Sequence, residues 1–295
     1  MPTVLIIGFS YDNLPSTIAD IYHVYSYYKN LDYNLYICTD IIEPINIEDR
    51  ISLLTSGSVD DKFISFVSKT FDCIKTVVKD KQSLIDWFRS IELSKDNRLI
   101  IYYTGHGIEN NILLPNGDRL TSYQFRNHVL DIGDISNQPK SNIFIIIDCC
   151  NPHGFFLPFK FDRDSKSFTC TNFNFILPKI IVMTSSESDS LSQALRLESP
   201  FTKYLFEYIS KGYNTYDIWS VCNSIDEEIE KQGKIKSGQK CAVYSSYHSL
   251  LVLWSWVINS VIDVEADLSL KTITINSDRL NEKTYGTKIQ CRSFV

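Results

Sequence analysis

A histidine and a cysteine lie in two short motifs, each directly after an apolar stretch. His106 stands between two glycines in the sequence Thr-Gly-His-Gly that begins at Thr104, and Cys150 ends the sequence Asp-Cys-Cys that begins at Asp148. A thiol becomes an effective nucleophile when a base lies within hydrogen-bonding reach. A histidine between glycines also leaves backbone N–H groups open to a close approach. The two motifs therefore predict a thiol–imidazole pair, with His106 as the base.

Either of two adjacent thiols, Cys149 or Cys150, is the candidate nucleophile. Along a strand, successive side chains point to opposite faces, so only one of the two thiols faces the same side as Asp148. This alternation favours Cys150. A cysteine in an apolar run is also commonly a small core residue, which is the role we expect for Cys149.

The apolar stretches predict a parallel sheet that brings the two motifs together. Five short β-type runs are almost continuously apolar, as strands covered on both faces should be: Thr3–Ile7, Asn34–Cys38, Arg98–Tyr103, Asn142–Ile147 and Lys179–Met183. Helical patterns lie between and after them: 15–30, 60–79, 81–93, 121–131, 200–211 and 215–231. This alternation is typical of an α/β fold with a mainly parallel sheet flanked by helices. Ligands of such sheets bind outside the carboxyl ends of the strands, where both motifs fall.

The sequences Tyr-Tyr-Thr-Gly-His-Gly and Ile-Ile-Asp-Cys-Cys together resemble the caspase–haemoglobinase superfamily of cysteine peptidases. Within it, the chain looks more like metacaspases and paracaspases than animal caspases. The Phe-Thr sequence at Phe201 also resembles a segment of the family's small subunit. The resemblance covers about residues 3–250. It implies a caspase–haemoglobinase fold with a six-stranded, mainly parallel sheet and helices on both faces.

The resemblance assigns catalytic roles to individual residues. Cys150 would attack the scissile carbonyl as a thiolate, and His106 would act as general acid and base. The backbone N–H groups of Gly107 and Cys150 would form the oxyanion hole. The class implied is an intracellular cysteine endopeptidase acting on proteins or peptides.

The expected substrate preference follows from charge. A pocket for aspartate needs arginines, but the first 49 residues contain no Arg and only one Lys, Lys29. Asp20, Thr104 and Asp148 instead match positions where the related families build an acidic S1 pocket, and Asp189 (or Glu187) is a further candidate. Carboxylates form strong charge-assisted hydrogen bonds with guanidinium and ammonium groups. We therefore expect cleavage after Arg or Lys.

The residues after the nucleophile depart from the family pattern and leave an alternative open. Metacaspases usually continue with His-Ser-Gly, but here Asn151-Pro152-His153-Gly154 inserts one residue. A proline fixes φ and removes an N–H group. The alternative is a pseudo-caspase of the same fold, weak or inactive, that acts as a binding or regulatory module. A doubly wound nucleotide-binding domain is disfavoured, because no glycine-rich phosphate-binding loop follows any strand.

The sequence predicts one domain, a loop within it and a C-terminal extension. Residues 1–262 are expected to form the peptidase domain, with a large-subunit-like part over about 1–160 and a small-subunit-like part over about 176–262. Residues 155–175 lack a helical period and are predicted to be a loop, in which Lys160, Arg163 and Lys166 are candidate self-cleavage sites. Residues 263–295 are predicted to be a strand-like extension.

Composition limits the other classes of function. The net charge of −6 and the absence of a basic run disfavour nucleic-acid binding. Eight scattered cysteines without a CxxC pair are typical of a reduced, cytoplasmic protein without structural zinc. Residues 242–262 lack charge but contain polar residues, so we expect no membrane span.

No cofactor is expected, and calcium activation is disfavoured because only Glu109 and Asp118 supply carboxylates between His106 and residue 130. Monomer and homodimer are both left open.

Overall fold

A computed structural model gives the structure of the chain. It describes residues 1–11, 14, 16–42, 61–93, 98–109, 111–137, 142–152, 157–170, 179–187, 192, 199–211, 218–231, 239–246 and 274–275.

One large sheet forms the centre of the molecule. Its strands are β1 (Thr3–Gly8), β2 (Asn34–Thr39), β3 (Lys75–Val77), β4 (Arg98–Thr104), β8 (Asn142–Asp148), β9 (Phe159–Asp162), β10 (Ser167–Cys170), β11 (Lys179–Thr184), β12 (Ala242–Ser245) and β13 (Thr274–Ile275). Their order is β13-β10-β9-β12-β11-β8-β4-β1-β2-β3. The run from β11 to β3 is parallel throughout, and β12, β9 and β10 continue it with antiparallel pairing. A smaller antiparallel sheet contains β5 (Gly107–Ile108), β6 (Asn111–Leu113) and β7 (Arg119–Thr121).

Helices cover both faces of the large sheet. They are α1 (Ser16–Lys29), α2 (Asp61–Ser65), α3 (Phe71–Ile74), α4 (Lys81–Ser90), α5 (Ser122–Leu130), α6 (Pro200–Ser210) and α7 (Ile218–Lys231), with a π-helical turn at Phe66–Thr70 and a 3₁₀ helix at Ile132–Asn137. Capping boxes begin α4 and α5, where Asp80 pairs with Ser83 and Thr121 pairs with Gln124.

The burial of the parallel strands explains their apolar sequences. In β1, Val4 and Ile6 pack in the core under α1, α6 and α7, while Leu5 and Ile7 pack in the core under α4 and α5. All four side chains are fully buried. A strand with a core on each face has no solvent side, so its sequence lacks polar alternation. The predicted fold class is confirmed: an α/β fold with a mostly parallel central sheet flanked by helices.

Three predictions about elements were wrong. The sheet has more than six strands: nine lie within residues 3–245, and the two-residue β13 is added at one edge. The predicted helix 60–79 ends at Ile74 and is followed by β3. The predicted loop 155–175 contains the β9–β10 hairpin over 159–170, because alternate side chains such as Phe159 and Phe161 are buried on one face of the sheet.

The described helices are too short or too polar to cross a bilayer. Of residues 242–262, the described part is β12 and the residue after it, and β12 is an interior strand between β11 and β9.

Candidate active site

The two sequence motifs lie side by side at the carboxyl ends of neighbouring parallel strands. In the register of β4 and β8, Thr104 is paired with Asp148. Just beyond the strands, the Gly105 N–H donates to the Asp148 carbonyl oxygen at 3.2 Å. The chain segments that carry His106 and Cys150 are therefore held together by the sheet and by this additional bond.

The two adjacent thiols have different environments. Cys149 is buried in the core under α4 and α5, and this burial raises the pKa of its thiol well above the usual value. Cys150 is only half-buried, and its thiol donates to the Ser192 carbonyl oxygen at 3.3 Å. Burial also raises the pKa of Cys150. Cys150 is thus the more accessible thiol, on the side that strand alternation predicts.

Gly107 lies directly against the cysteine motif. A Cβ atom at this position would lie 2.1 Å from the Cys150 carbonyl oxygen and 2.6 Å from the Cys149 sulfur, so no other residue fits without displacing them. The chain then leaves Cys150 through Asn151, whose φ of 47° is left-handed, and the buried Pro152. The two predicted oxyanion-hole residues therefore lie close together, and the backbone takes a left-handed conformation directly after Cys150.

His106 is half-buried, and this burial lowers the pKa of its imidazole. The side chains of Tyr11 and Tyr103 contact it, the first through its ring and the second through a hydroxyl bond to the His106 carbonyl oxygen.

The carboxylate of Asp20 lies near the end of β4. Its Oδ2 accepts from the Thr104 hydroxyl at 3.0 Å, and its Oδ1 accepts from the Ser199 N–H at 2.8 Å. Asp20 is on α1 and only 1% exposed. The structure thus brings Asp20 together with Thr104, and their role in a substrate pocket stays a prediction.

Asp148 belongs to the same buried cluster. Its Oδ2 accepts from the hydroxyls of Ser199 and, at 2.7 Å, Thr202, while its Oδ1 accepts from the Ser192 hydroxyl at 2.9 Å. Burial raises the pKa of the Asp148 carboxyl, and these hydroxyl bonds counteract the shift. No lysine or arginine of the described residues forms an ion pair with Asp148. The carboxylate is hydrogen-bonded but has no countercharge in this part of the chain.

Ser192 connects the candidate nucleophile to the acidic cluster. Its carbonyl oxygen accepts from Cys150 and its hydroxyl donates to Asp148. The Gln239 side-chain amide also donates to the Ser192 hydroxyl oxygen, at 3.4 Å. An incoming group that binds Asp148 at Oδ1 would replace the Ser192 hydroxyl.

Sequence reasoning did not find Ser192, Ser199 or the partners of His106. Ser199 precedes α6 at its N-cap position but makes no capping bond with its side chain, because its hydroxyl donates to Asp148. A serine before Pro200 suggests only a helix start, so the sequence carries no signal for this contact. Asp189 lies outside the described residues, and Glu187 pairs instead with Lys160 at 3.0 Å.

The candidate self-cleavage residues have three different environments. Lys160 lies within β9 and pairs with Glu187. Arg163 binds Asp226 of α7 and the Cys241 carbonyl oxygen. Lys166 is exposed in the hairpin turn, with its ammonium 3.8 Å from the centre of the Trp219 ring. Of the three, Lys166 is the most accessible to a second molecule.

Among the described residues, no group of three or more His, Cys, Asp or Glu side chains is arranged to hold a metal ion. The prediction about calcium is not tested by this observation and stays a prediction.

The His motif and the Cys motif thus lie at adjacent strand ends of an α/β sheet, the arrangement that the sequence predicts for a cysteine peptidase. Residues 2–251 match the caspase domain family, and the chain belongs to that family. It is thus a caspase-like protein of the cysteine peptidase superfamily, as the sequence motifs predict. No curated protein shows significant similarity to the chain. The crystal structure of a protein from Geobacter sulfurreducens is similar at 10% identity and a TM-score of 0.47, over 83% of this chain and 93% of that one.

Proposed function

We propose that the protein is a cysteine endopeptidase of the metacaspase or paracaspase type that cleaves after Arg or Lys. The observation that carries the proposal is the buried cluster in which Asp20 and Asp148 lie together and which reaches Cys150 through Ser192. Burying two carboxylates is costly unless a cation or a dense set of donors compensates. A P1 guanidinium or ammonium group would supply that cation when substrate binds.

In the proposed reaction, Cys150 forms a bond to the scissile carbonyl carbon and its proton passes to His106. The imidazolium then donates that proton to the leaving amine as the C–N bond breaks. Water, deprotonated by His106, hydrolyses the thioester and restores the thiol. The N–H groups of Gly107 and Cys150 would stabilise the oxyanion, a contribution of about 2.7–4 kcal/mol per donor.

The test is hydrolysis of fluorogenic peptides that differ only in Arg, Lys or Asp at P1, with and without calcium. Wild type, Cys150→Ala and the control Cys73→Ala, which removes an exposed thiol on α3, would be compared. We expect wild type and Cys73→Ala to cleave after Arg and Lys without calcium, and Cys150→Ala to cleave none of the peptides. Cleavage after Asp would contradict the acidic pocket, and activity retained by Cys150→Ala would contradict the nucleophile.

A pseudo-caspase is the second candidate, and it is favoured by the contacts of Cys150. The thiol donates to Ser192 and its pKa is raised, while Asn151 takes a strained left-handed conformation. A folded wild type that cleaves no peptide would support this alternative. The cytoplasmic localisation remains a prediction from the cysteine pattern.

A further inference from the structure

The loop after β1 brings Tyr11 against His106. The two rings lie 4.6 Å apart between centroids, with an angle of 36° between their planes. The Tyr11 hydroxyl accepts from the His106 N–H at 3.3 Å and donates to the Leu113 carbonyl oxygen of β6 at 2.5 Å. One side chain thus contacts the imidazole and also fixes the backbone on which it is carried.

A second tyrosine completes the surroundings of His106. The hydroxyl of Tyr103, a fully buried residue of β4, donates to the His106 carbonyl oxygen at 2.9 Å and lies 3.1 Å from the Tyr11 hydroxyl. Phe9 contacts the edges of both tyrosine rings, at centroid distances of 6.2 Å and 6.1 Å. Both backbone polar groups of His106 are therefore held by tyrosine hydroxyls.

Asp40 holds Tyr11 in place. It directly follows β2, and its carboxylate accepts from the N–H of Ser10 at 2.7 Å and from the N–H of Tyr11 at 2.6 Å. Tyr11 has a φ of 49°, a left-handed conformation that is unfavourable for a residue with a bulky side chain. Such a conformation persists only where surrounding contacts compensate for it, and here two charge-assisted bonds do so.

We propose that Asp40 and Tyr11 form a clamp that positions His106 for proton transfer. The Asp40–Tyr11 clamp rests on the proposed function of His106 as acid and base, for which the sequence shows no third, orienting residue. Asp40 fixes the Ser10–Tyr11 turn, and Tyr11 fixes the imidazole. Neither residue touches the scissile bond, so both are positioning residues.

The clamp also shields the imidazole from water. Burial lowers the pKa of His106, which favours the neutral form that accepts a proton from a thiol. The titratable groups packed around this segment are Tyr11, Tyr103, Cys149, Cys150 and the carboxylate of Asp40. Burial raises the pKa of the first four, which are uncharged near neutral pH, and Asp40 is present in both wild type and Tyr11→Leu. A change in the titration of His106 therefore reports the removal of the Tyr11 ring.

The experiment measures kcat, KM and the pH profile of kcat/KM for Tyr11→Phe, Tyr11→Leu and Asp40→Ala, with Tyr123→Phe on the exposed side of α5 as the control. We expect kcat to fall at least tenfold in Tyr11→Leu and Asp40→Ala while KM stays within twofold. In Tyr11→Leu, the acid limb of the profile should move to higher pH, because the less shielded imidazole regains a higher pKa. Tyr11→Phe keeps the ring and removes one oxygen atom, so it should lower kcat without moving the acid limb.

The proton resonances of the His106 imidazole separate this inference from the proposed function. The chain has five histidines, and the spectrum of His106→Gln identifies the resonances of interest. If wild type cleaves no peptide, the proposed function fails, and the clamp is decided by this titration. An upward shift of the His106 pKa in Tyr11→Leu would support the clamp. The clamp would be overturned if the His106 titration in Tyr11→Leu were unchanged, or if the kinetics of Tyr11→Leu and Asp40→Ala equalled those of Tyr123→Phe. Tyr11→Phe, which keeps the ring, provides a test that does not depend on whether Tyr11→Leu folds.

Discussion

Cys150 and His106 are both uncharged in the resting site. Burial raises the pKa of the thiol above its usual value, and it lowers the pKa of the imidazole. Both shifts disfavour the thiolate–imidazolium ion pair, because one favours the neutral thiol and the other favours the neutral imidazole. The Cys150 thiol donates a hydrogen bond to the Ser192 carbonyl oxygen. Activation of the nucleophile therefore requires that substrate displace this hydrogen bond.

The first prediction concerns the reactivity of the free thiol. In a Cys73→Ala background, alkylation of Cys150 by iodoacetamide should accelerate about tenfold per pH unit between pH 7 and pH 9, because the thiolate fraction rises in that proportion below the pKa. Peptide mass spectrometry over time measures the rate at this site. A rate independent of pH from 6 to 9 would show a preformed thiolate and contradict the resting state described above.

The buried carboxylate of Asp148 lowers the stability of the fold, and its proposed role in binding a cationic substrate side chain gives a reason for its presence. Its pKa is raised by burial, so the ionised carboxyl is less favourable in the folded than in the unfolded chain. The contribution of such a group to stability is complete below the unfolded pKa, near 4, and is lost as the pH rises through the folded pKa. At neutral pH, Asp148 therefore destabilises the fold relative to a neutral residue of the same shape.

Asp148→Asn should separate stability from activity. The amide has nearly the same shape, and the hydroxyls of Ser199 and Thr202 can rotate to donate or accept. We expect the Tm at pH 7 to be unchanged or higher, while kcat/KM for Arg and Lys peptides falls about 10- to 100-fold, since a hydrogen bond to a charged group contributes roughly 1.5–3 kcal/mol. Calorimetry and peptide kinetics would be run beside Asp86→Asn, an exposed control on α4. A large drop in Tm would assign Asp148 a structural role instead.

At the level of the elements, the parallel strands could be predicted because burial on both faces leaves an unambiguous apolar run. The β9–β10 hairpin and β3 could not be recognised in this way. The strand β3 has three residues, and its side chains are exposed or half-buried at the sheet edge. The hairpin buries one face only, and each of its strands has four residues, so its period-two pattern is too short to stand out beside Lys160 and Arg163, which appeared as features of a loop.

The same limit applies to the candidate site. Asp20, Thr104 and Asp148 could be placed together from the family resemblance and from strand ends, and the structure brings them together. Ser192 and Tyr11 could not be placed there, since both lie outside the helices and strands whose positions the sequence predicts. A left-handed residue such as Tyr11 leaves no mark in a sequence unless it is a glycine.

The β9–β10 hairpin is tied to α7 by one arginine. Arg163 binds the Asp226 carboxylate, the Cys241 carbonyl oxygen and, at 3.4 Å, the Asn223 side chain. Arg163→Ala should lower the free energy of unfolding by about 3–5 kcal/mol, because it leaves the buried Asp226 without a countercharge. Urea unfolding measures the effect. Lys166→Ala in the same hairpin is the control and should cost about 1 kcal/mol or less, through the lost contact with Trp219. Equal effects would show that Arg163 has no special role.

On the scale of the whole molecule, two cores share one sheet and meet at the site. One core lies under α1, α6 and α7 and supports Asp20, and the other lies under α4 and α5 and surrounds Cys149. Asp148 ends β8, one of the strands of the sheet that separates them. The acidic cluster and Cys149, the residue before the candidate nucleophile, are therefore held by opposite layers, and repacking of either layer is expected to alter the geometry of the site.

The positions of the core residues along the chain predict where it can be shortened. The described core residues lie between Val4 and Tyr244, whereas β13 adds only a two-residue pairing with Thr169 and Cys170 at the sheet edge. A chain ending at residue 262 should unfold cooperatively with a Tm within a few degrees of the full chain, because an edge pairing of this size contributes about 1–2 kcal/mol. A chain ending at residue 241 is the comparison. It lacks β12, an interior strand that pairs with both β11 and β9, and should not fold. If the chain ending at 262 also loses its cooperative transition in calorimetry, residues 263–295 are part of the domain rather than an extension of it.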